Sequence, residues 1–168
     1  MAPDSLAIIS LGSNLGDSAG NVRMALDELE PFSLKPLKRS SLWISSPLDC
    51  PPDSPDFINA AALLTPRPND TPENLLAVLR EIETSFGRTL KKVFNESRIL
   101  DLDLISFGNE IRNSPALTLP HPRAHLRAFV LQPLAELLPD CVLPGQSKTA
   151  KELLESLPEQ GRLTRVST

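Results

Sequence analysis

Along this chain the spacing of apolar residues switches repeatedly between a period of two and a period near 3.6, which separates strands from helices. Leu6 to Leu11 is a short apolar run and predicts a first, buried strand. Val22, Ala25, Leu26 and Leu29 recur at helical spacing and stop at Pro31, with Asp17 or Ser18 placed to cap the helix. Leu37 to Ser46 predicts a second strand, less cleanly alternating, which carries the single Trp at position 43. Phe57 to Leu64 predicts a third. Thr71 and Pro72 open a second helix as cap and first helical residue, its stripe is Leu75, Leu76, Leu79, Ile82 and Phe86, and Gly87 ends it.

The sharpest alternation is Arg98-Ile99-Leu100-Asp101-Leu102-Asp103-Leu104-Ile105. In a strand, residues i and i+2 share a face, so Leu100, Leu102 and Leu104 point into a core and Asp101 and Asp103 point the other way. Their Cα atoms would lie roughly 6.6 Å apart. Two carboxylates about 4 Å apart repel by about 4 kcal/mol at an effective dielectric of 20, a repulsion that a cation relieves. Oxygen ligands without His or Cys favour magnesium over zinc. Asp-x-Asp alone more readily describes two solvated acids on an exposed strand, so its neighbours must decide.

Downstream, Phe107 to Glu110 predicts a turn into a short hairpin arm, and Leu117 to Pro122 an extended stretch. A helix is expected from Ala128 to Leu138, with Pro133 in its first turn or kinking it. Another is expected from Ser147 to Leu157, then a terminal strand from Arg162 to Val166. This order of elements predicts one α+β sandwich, and the whole of residues 1–168 is expected to be a single domain.

Composition narrows the function. A net charge of −4 and a pI near 5.2 leave no basic footprint for nucleic acid. The early apolar run is too short for a signal peptide, and no stretch suits a membrane span, so a cytoplasmic chain is expected. Cys50 and Cys141 lack metal-ligand spacing and read as free thiols in a reducing compartment. Of the 17 prolines, four lie between Pro47 and Asp56, which marks a long, stiffened loop rather than a strand.

Several familiar sites fail on spacing. Gly12-Ser13-Asn14-Leu15-Gly16-Asp17 has neither the Gly-Lys-Ser/Thr of a Walker loop nor a Gly-x-Gly-x-x-Gly spacing, and reads as a turn. An EF-hand starting at Asp101 would need Gly at Ser106 and Glu at Arg112. His121 and His125 stand four apart without the Glu of a zinc protease. What survives is a paired-aspartate magnesium site with Arg88, Arg98, Arg127 and His121 in reach, beside a polar connection that also holds Lys91 and Lys92. Phosphoryl transfer needs that kind of positioning and charge neutralisation.

Leu11-Gly12-Ser13-Asn14-Leu15-Gly16, Phe57-Ile58-Asn59, Ile82-Glu83 with Gly87-Arg88, Arg98 to Asp103, and Pro120-His121 with Arg127-Ala128-Phe129 form an ordered set. In order and spacing the set resembles the 6-hydroxymethyl-7,8-dihydropterin pyrophosphokinases of folate biosynthesis, over about residues 6 to 144. The resemblance implies a ferredoxin-like α+β sandwich with a mainly antiparallel central sheet flanked by helices. It implies transfer of pyrophosphate from ATP to the pterin's hydroxymethyl oxygen, with release of AMP. Asp101 and Asp103 match the ligands of two Mg2+ ions. Arg88, Arg98 and His121 match phosphate-binding positions, Arg127 a further active-site arginine, and Glu83, Leu104 and Thr118 positions lining the nucleotide. Asn59 matches the residue that bonds the pterin edge, Phe57 and Phe129 the aromatic pair about its ring, and Ser46 and Pro47 join the substrate set.

The implied partners are ATP and a small pterin, with no nucleic acid or membrane, and the implied state is a monomer. Other readings are a weak or inactive pterin- and ATP-binding member of the family, or a different magnesium-dependent nucleotidyl transferase. The basic loop departs from the family pattern: Leu90 and Asn95 replace an Arg and a Trp, Phe94 is adjacent, and Glu96-Ser97 replaces a Gly before Arg98. On the second helix, Arg80 stands where Gln is usual.

Overall fold

The computed structural model describes residues 6–46, 54–87, 99–159 and 163–166. Arg88, Arg98, Pro47 and Cys50, together with the basic-loop positions Leu90, Phe94 and Asn95, lie outside them. The strands are β1 (Ala7–Ser13), β2 (Lys38–Arg39), β3 (Trp43–Ser45), β4 (Phe57–Leu64), β5 (Asp101–Phe107), β6 (Arg112–Asn113), β7 (Thr118–Leu119) and β8 (Leu163–Arg165). The helices are α1 (Ser18–Leu29), α2 (Pro72–Ser85), α3 (Ala128–Leu137) and α4 (Ala150–Ser156).

The main sheet runs β5-β1-β4-β3-β8, with β2 also on β4, and every pairing is antiparallel. With α1 following β1 and α2 following β4, this is the ferredoxin-like order of a split β-α-β sandwich. Alternation along each strand builds two cores. Ile9, Leu11, Ala60, Ala62, Leu102 and Leu104 meet Val22, Leu26, Leu79 and Ile82 of α1 and α2. Ile8, Leu63 and Ile105, on the other side, meet Val130 and Leu134 of α3 and Ala150 of α4.

Caps set the helix limits. Thr71 accepts from the Asn74 N–H at 3.1 Å, and Gly87 leaves α2 at φ +87°. The last helix begins at Ala150 rather than Ser147, because Thr149 and Glu152 form a reciprocal capping box. Pro133 sits in the interior of α3, past its first turn.

The stretch Leu37 to Ser46 is not one strand. It breaks between β2 and β3, where the Ser40 hydroxyl, not a backbone carbonyl, accepts the Ala61 N–H at 2.8 Å. A serine side chain that takes over a ladder bond interrupts the pleat. The central strand is also displaced from its sequence limits. It starts at Asp101, whose partner Gly12 is one residue from the end of β1, and it runs on to Phe107. Its alternation slips once: Ile9 pairs with Leu104 and Ile8 with Ser106, so Ile105 is an extra, bulged residue that enters the second core.

Candidate active site

Sheet register brings distant residues into line. Gly12 pairs with Asn59 on one side and Asp101 on the other; Ser10 pairs with Ala61 and Asp103. Trp43 extends the first row from β3, and Ser45 pairs with Phe57. All of these side chains therefore project from the face that α3 and α4 cover farther down, and at this end the face is left accessible, with Asp101, Asp103 and Phe57 all partly exposed.

Gly12 is the floor of this surface. A Cβ placed there would stand 3.5 Å from Asn59 Oδ1 and 3.8 Å from Phe57 Cδ1. Asn59 is buried, and its Nδ2 donates to Ser45 Oγ at 2.7 Å and to the Trp43 carbonyl at 3.3 Å. Those two bonds fix the amide so that its oxygen, an acceptor, is turned toward Gly12. The loop after β1 is pinned rather than open: Asn14 Nδ2 donates to the Pro55 carbonyl, and Asn21 Nδ2 donates to the Leu15 and Ile99 carbonyls. That is the turn expected from its sequence, tied to the chain entering β5.

The two aspartates share a face, as their spacing predicts. Burial pushes the Asp103 carboxyl up to about 7, aided by the charge of Asp101, while Arg127 and Arg80 pull it down. The two charges disfavour each other, and a cation placed between them would relieve that repulsion. Among the described residues no three His, Cys, Asp or Glu side chains converge as a metal cage. Two carboxylates suit magnesium, which takes the rest of its octahedron from water and substrate phosphates.

His121 and Arg127 stand beside the aspartates. The His121 N–H donates to the Ile105 carbonyl at 2.8 Å, which anchors it to β5. Its Nδ1 accepts from the Arg123 N–H at 3.1 Å, so in the neutral ring the proton resides on Nε2. Burial, then the charges of Arg127 and Arg123, push its pKa down to about 4, against the opposing pull of Asp101. The Arg127 guanidinium lies 5.5 Å from the centre of the Phe129 ring, a cation–π distance. Phe129 packs on the second core at the start of α3.

The remaining sequence-derived candidates lie elsewhere. Leu104 is buried in the first core, on the face opposite the aspartates. Thr118 is exposed on the small β6-β7 sheet, and Ser46 is half-buried just beyond β3. Glu83 is fully buried, with Oε2 taking the Leu102 N–H at 2.7 Å and Oε1 taking Arg80 Nη1 at 2.8 Å. Sequence reasoning missed Ser45, whose partner Asn59 is set by register, and Glu136 on α3. Glu136 accepts from the Ser41 N–H and hydroxyl, both at 2.9 Å, and from Trp43 Nε1 at 3.0 Å.

The family model described as 7,8-dihydro-6-hydroxymethylpterin-pyrophosphokinase (HPPK) matches residues 8–139, from within β1 through α3. The chain belongs to the HPPK family. A 2-amino-4-hydroxy-6-hydroxymethyldihydropteridine pyrophosphokinase of Pseudomonas aeruginosa is 39% identical over 91% of this chain and 92% of its own length. One from Synechocystis sp. is also 39% identical, over 90% of this chain and 75% of its own. The folic acid synthesis protein fol1 of Schizosaccharomyces pombe is 34% identical, but this HPPK chain spans only 21% of its length. Among solved structures, a triple mutant of Plasmodium falciparum HPPK-DHPS with pteroate superposes with a TM-score of 0.70 at 15% identity, over 89% of this chain and 42% of that one. At that identity the likeness concerns the fold. No described helix of this HPPK is long and apolar enough to cross a membrane.

Proposed function

We propose that the face formed by Asn59, Gly12 and Asp101 is where this pyrophosphokinase of folate biosynthesis joins its two substrates. Pyrophosphate passes from ATP to the hydroxymethyl oxygen of 6-hydroxymethyl-7,8-dihydropterin, and AMP leaves. The observation that carries the reading is the register row: one glycine separates an amide acceptor beside an aromatic ring from a pair of repelling carboxylates.

The pterin lies on the Gly12 floor, where the glycine has no side chain of its own to fill the space beside Asn59 and Phe57. Phe57 and Phe129 offer ring faces, with offset stacking adding about 0.5–1.5 kcal/mol each. Asn59 Oδ1 accepts from the donor edge of the pterin, because Ser45 and Trp43 already hold its Nδ2. Asp101 and Asp103 would hold two Mg2+ ions, which when bound would supply positive charge to the ATP phosphates. Neutral His121 donates from Nε2 to a phosphate oxygen, and Arg127 supplies positive charge on the same side. Arg88 and Arg98, outside the described residues, belong to the phosphate set in this reading. Thr118 belongs to the nucleotide side, behind which the buried Glu83 and Leu104 pack, and Ser46 and Pro47 belong to the pterin side.

During transfer the pterin oxygen bonds to the β-phosphorus as the bond to the α,β-bridging oxygen breaks, and the hydroxyl proton is released. The reading takes residues 1–168 as one monomeric, cytoplasmic domain, and the net charge of −4 fits a chain with no nucleic-acid partner. Incubation with ATP, Mg2+ and the hydroxymethyl pterin, followed by mass spectrometry, tests it. The expected result is a pterin heavier by a diphosphate and an equal amount of AMP, with no AMP when pterin is omitted. AMP formed without pterin would overturn the reading in favour of another nucleotidyl transfer.

A further inference from the structure

In the sheet order, β5 is an edge strand, so alternate residues turn their backbone N–H and C=O away from β1 and toward no other described strand. Leu102 is such a residue, and it stands between Asp101 and Asp103. Its N–H donates to Glu83 Oε2 at 2.7 Å, and its carbonyl accepts from Arg80 Nη1 at 3.0 Å. The same Nη1 donates to Glu83 Oε1 at 2.8 Å, which ties the two α2 side chains together one turn apart. Together they occupy the place where a neighbouring strand would present a carbonyl and an N–H. The Leu102 N–H belongs to the peptide plane joining residues 101 and 102, and its carbonyl to the plane joining 102 and 103. Holding both planes holds the Cα–Cβ directions of both aspartates.

We infer that Arg80 and Glu83 are positioning residues that act as a surrogate strand for β5 and set the spacing of the paired carboxylates for their metal ions. The inference rests on the metal reading of Asp101 and Asp103. It also gives the buried Glu83 carboxylate a structural task, since a charge removed from water persists only where it is paired and hydrogen-bonded. Arg80 half-emerges into solvent, with its side chain 49% exposed, so replacing it opens no core cavity.

The test compares the parent with Arg80→Ala, Arg80→Lys and Glu83→Gln. Without metal or nucleotide, amide hydrogen exchange is followed by mass spectrometry over residues 100–107. Exchange is expected to quicken there in all three variants while β1 and β4 stay protected, with Arg80→Lys the mildest because one ammonium replaces a guanidinium fork. Mn2+ binding, read by electron paramagnetic resonance with a non-hydrolysable ATP analogue present, should weaken about tenfold in Arg80→Ala, as for lost outer-shell partners of metal ligands. The sign is diagnostic. Arg80 is a cation near the site, so if it acted only through charge, its removal would tighten Mn2+ binding.

Unchanged or tighter Mn2+ binding in Arg80→Ala, or unaltered exchange at β5, would overturn the inference. A loss of nucleotide affinity in EDTA as large as the Mn2+ effect would also overturn it and make Arg80 a nucleotide contact. If the parent binds no Mn2+ at all, the metal reading itself fails and takes this inference with it. Should Glu83→Gln not fold, the two Arg80 variants decide alone.

Discussion

Trp43 Nε1 donates to Glu136 Oε1 across 3.0 Å, joining β3 of the sheet to the last turn of α3. The other carboxylate oxygen takes the Ser41 N–H and hydroxyl at the break between β2 and β3. The irregularity in the second strand thus frees an N–H that docks the helix carrying Phe129 at its other end. Glu136→Ala should cost about 1 kcal/mol, the scale for partly exposed bonds to a charged group. It should also raise the pterin KM more than the ATP KM, because Phe129 rides on α3. Glu136→Gln, still an acceptor, should recover most of the stability. Thermal melts with separate KM measurements check this, and an effect on ATP alone would refute it.

The ionised form of Asp103 is disfavoured by its burial and by the neighbouring Asp101 charge. Its folded-state pKa, about 7, lies above the ordinary value of 3.8, mainly through burial and then through Asp101. The folded chain therefore binds the extra proton between those values, and this group's contribution is complete below the lower value and lost as pH rises through the upper one. In the absence of metal, Asp103→Asn should raise the melting temperature at pH 8 by a few degrees, about 2–4 °C per kcal/mol for a chain of this size. The gain should shrink toward pH 4, while AMP production is abolished at every pH. A variant that melts lower than the parent at pH 8 would contradict the burial argument.

His121 is expected to stay neutral across the working range. Its pKa is pushed from 6.5 to about 4, so its imidazole NMR signals in the metal-free chain should shift only in acid. The unfolded chain takes up the proton first, so the stability this residue contributes is lost as pH falls from 6.5 through 4. A midpoint near 6.5 would show that the ring is solvated and not oriented as described.

At Gly12 the expected outcome separates binding from folding. A Cβ there makes ordinary contacts of 3.5 and 3.8 Å, so Gly12→Ala should leave the melting temperature unchanged or raise it slightly. The added methyl occupies the floor beneath the pterin, so the pterin KM should rise severalfold with little change for ATP. Steady-state kinetics with each substrate varied in turn decides the matter.

Phe129 has two roles that one pair of variants can divide. Phe129→Leu keeps apolar volume against the second core but removes the ring, whereas Phe129→Ala removes both. Calorimetry should show similar losses of pterin affinity in the two, with a clear loss of stability only in Phe129→Ala. Equal retention of pterin binding in Phe129→Leu would assign the residue to packing.

The sequence by itself determined the faces. A period of two must place Asp101 and Asp103 together and Leu102 and Leu104 opposite, and the stripes of α1 and α2 follow as directly from a period of 3.6. Caps such as Thr71 act within a few residues, so those boundaries were legible as well. Only the tertiary structure decided which strand lies beside which and in what register. That choice puts Asn59 and Asp101, 42 positions apart, on either side of Gly12, turns the Ser45 hydroxyl onto the amide, and bulges Ile105 out of the alternation. It likewise hands the outer backbone of Leu102 to Arg80 and Glu83. These contacts depend on packing between segments remote in the chain, where a one-residue slip reverses every side chain, and no local pattern encodes which of two registers the buried surface will favour.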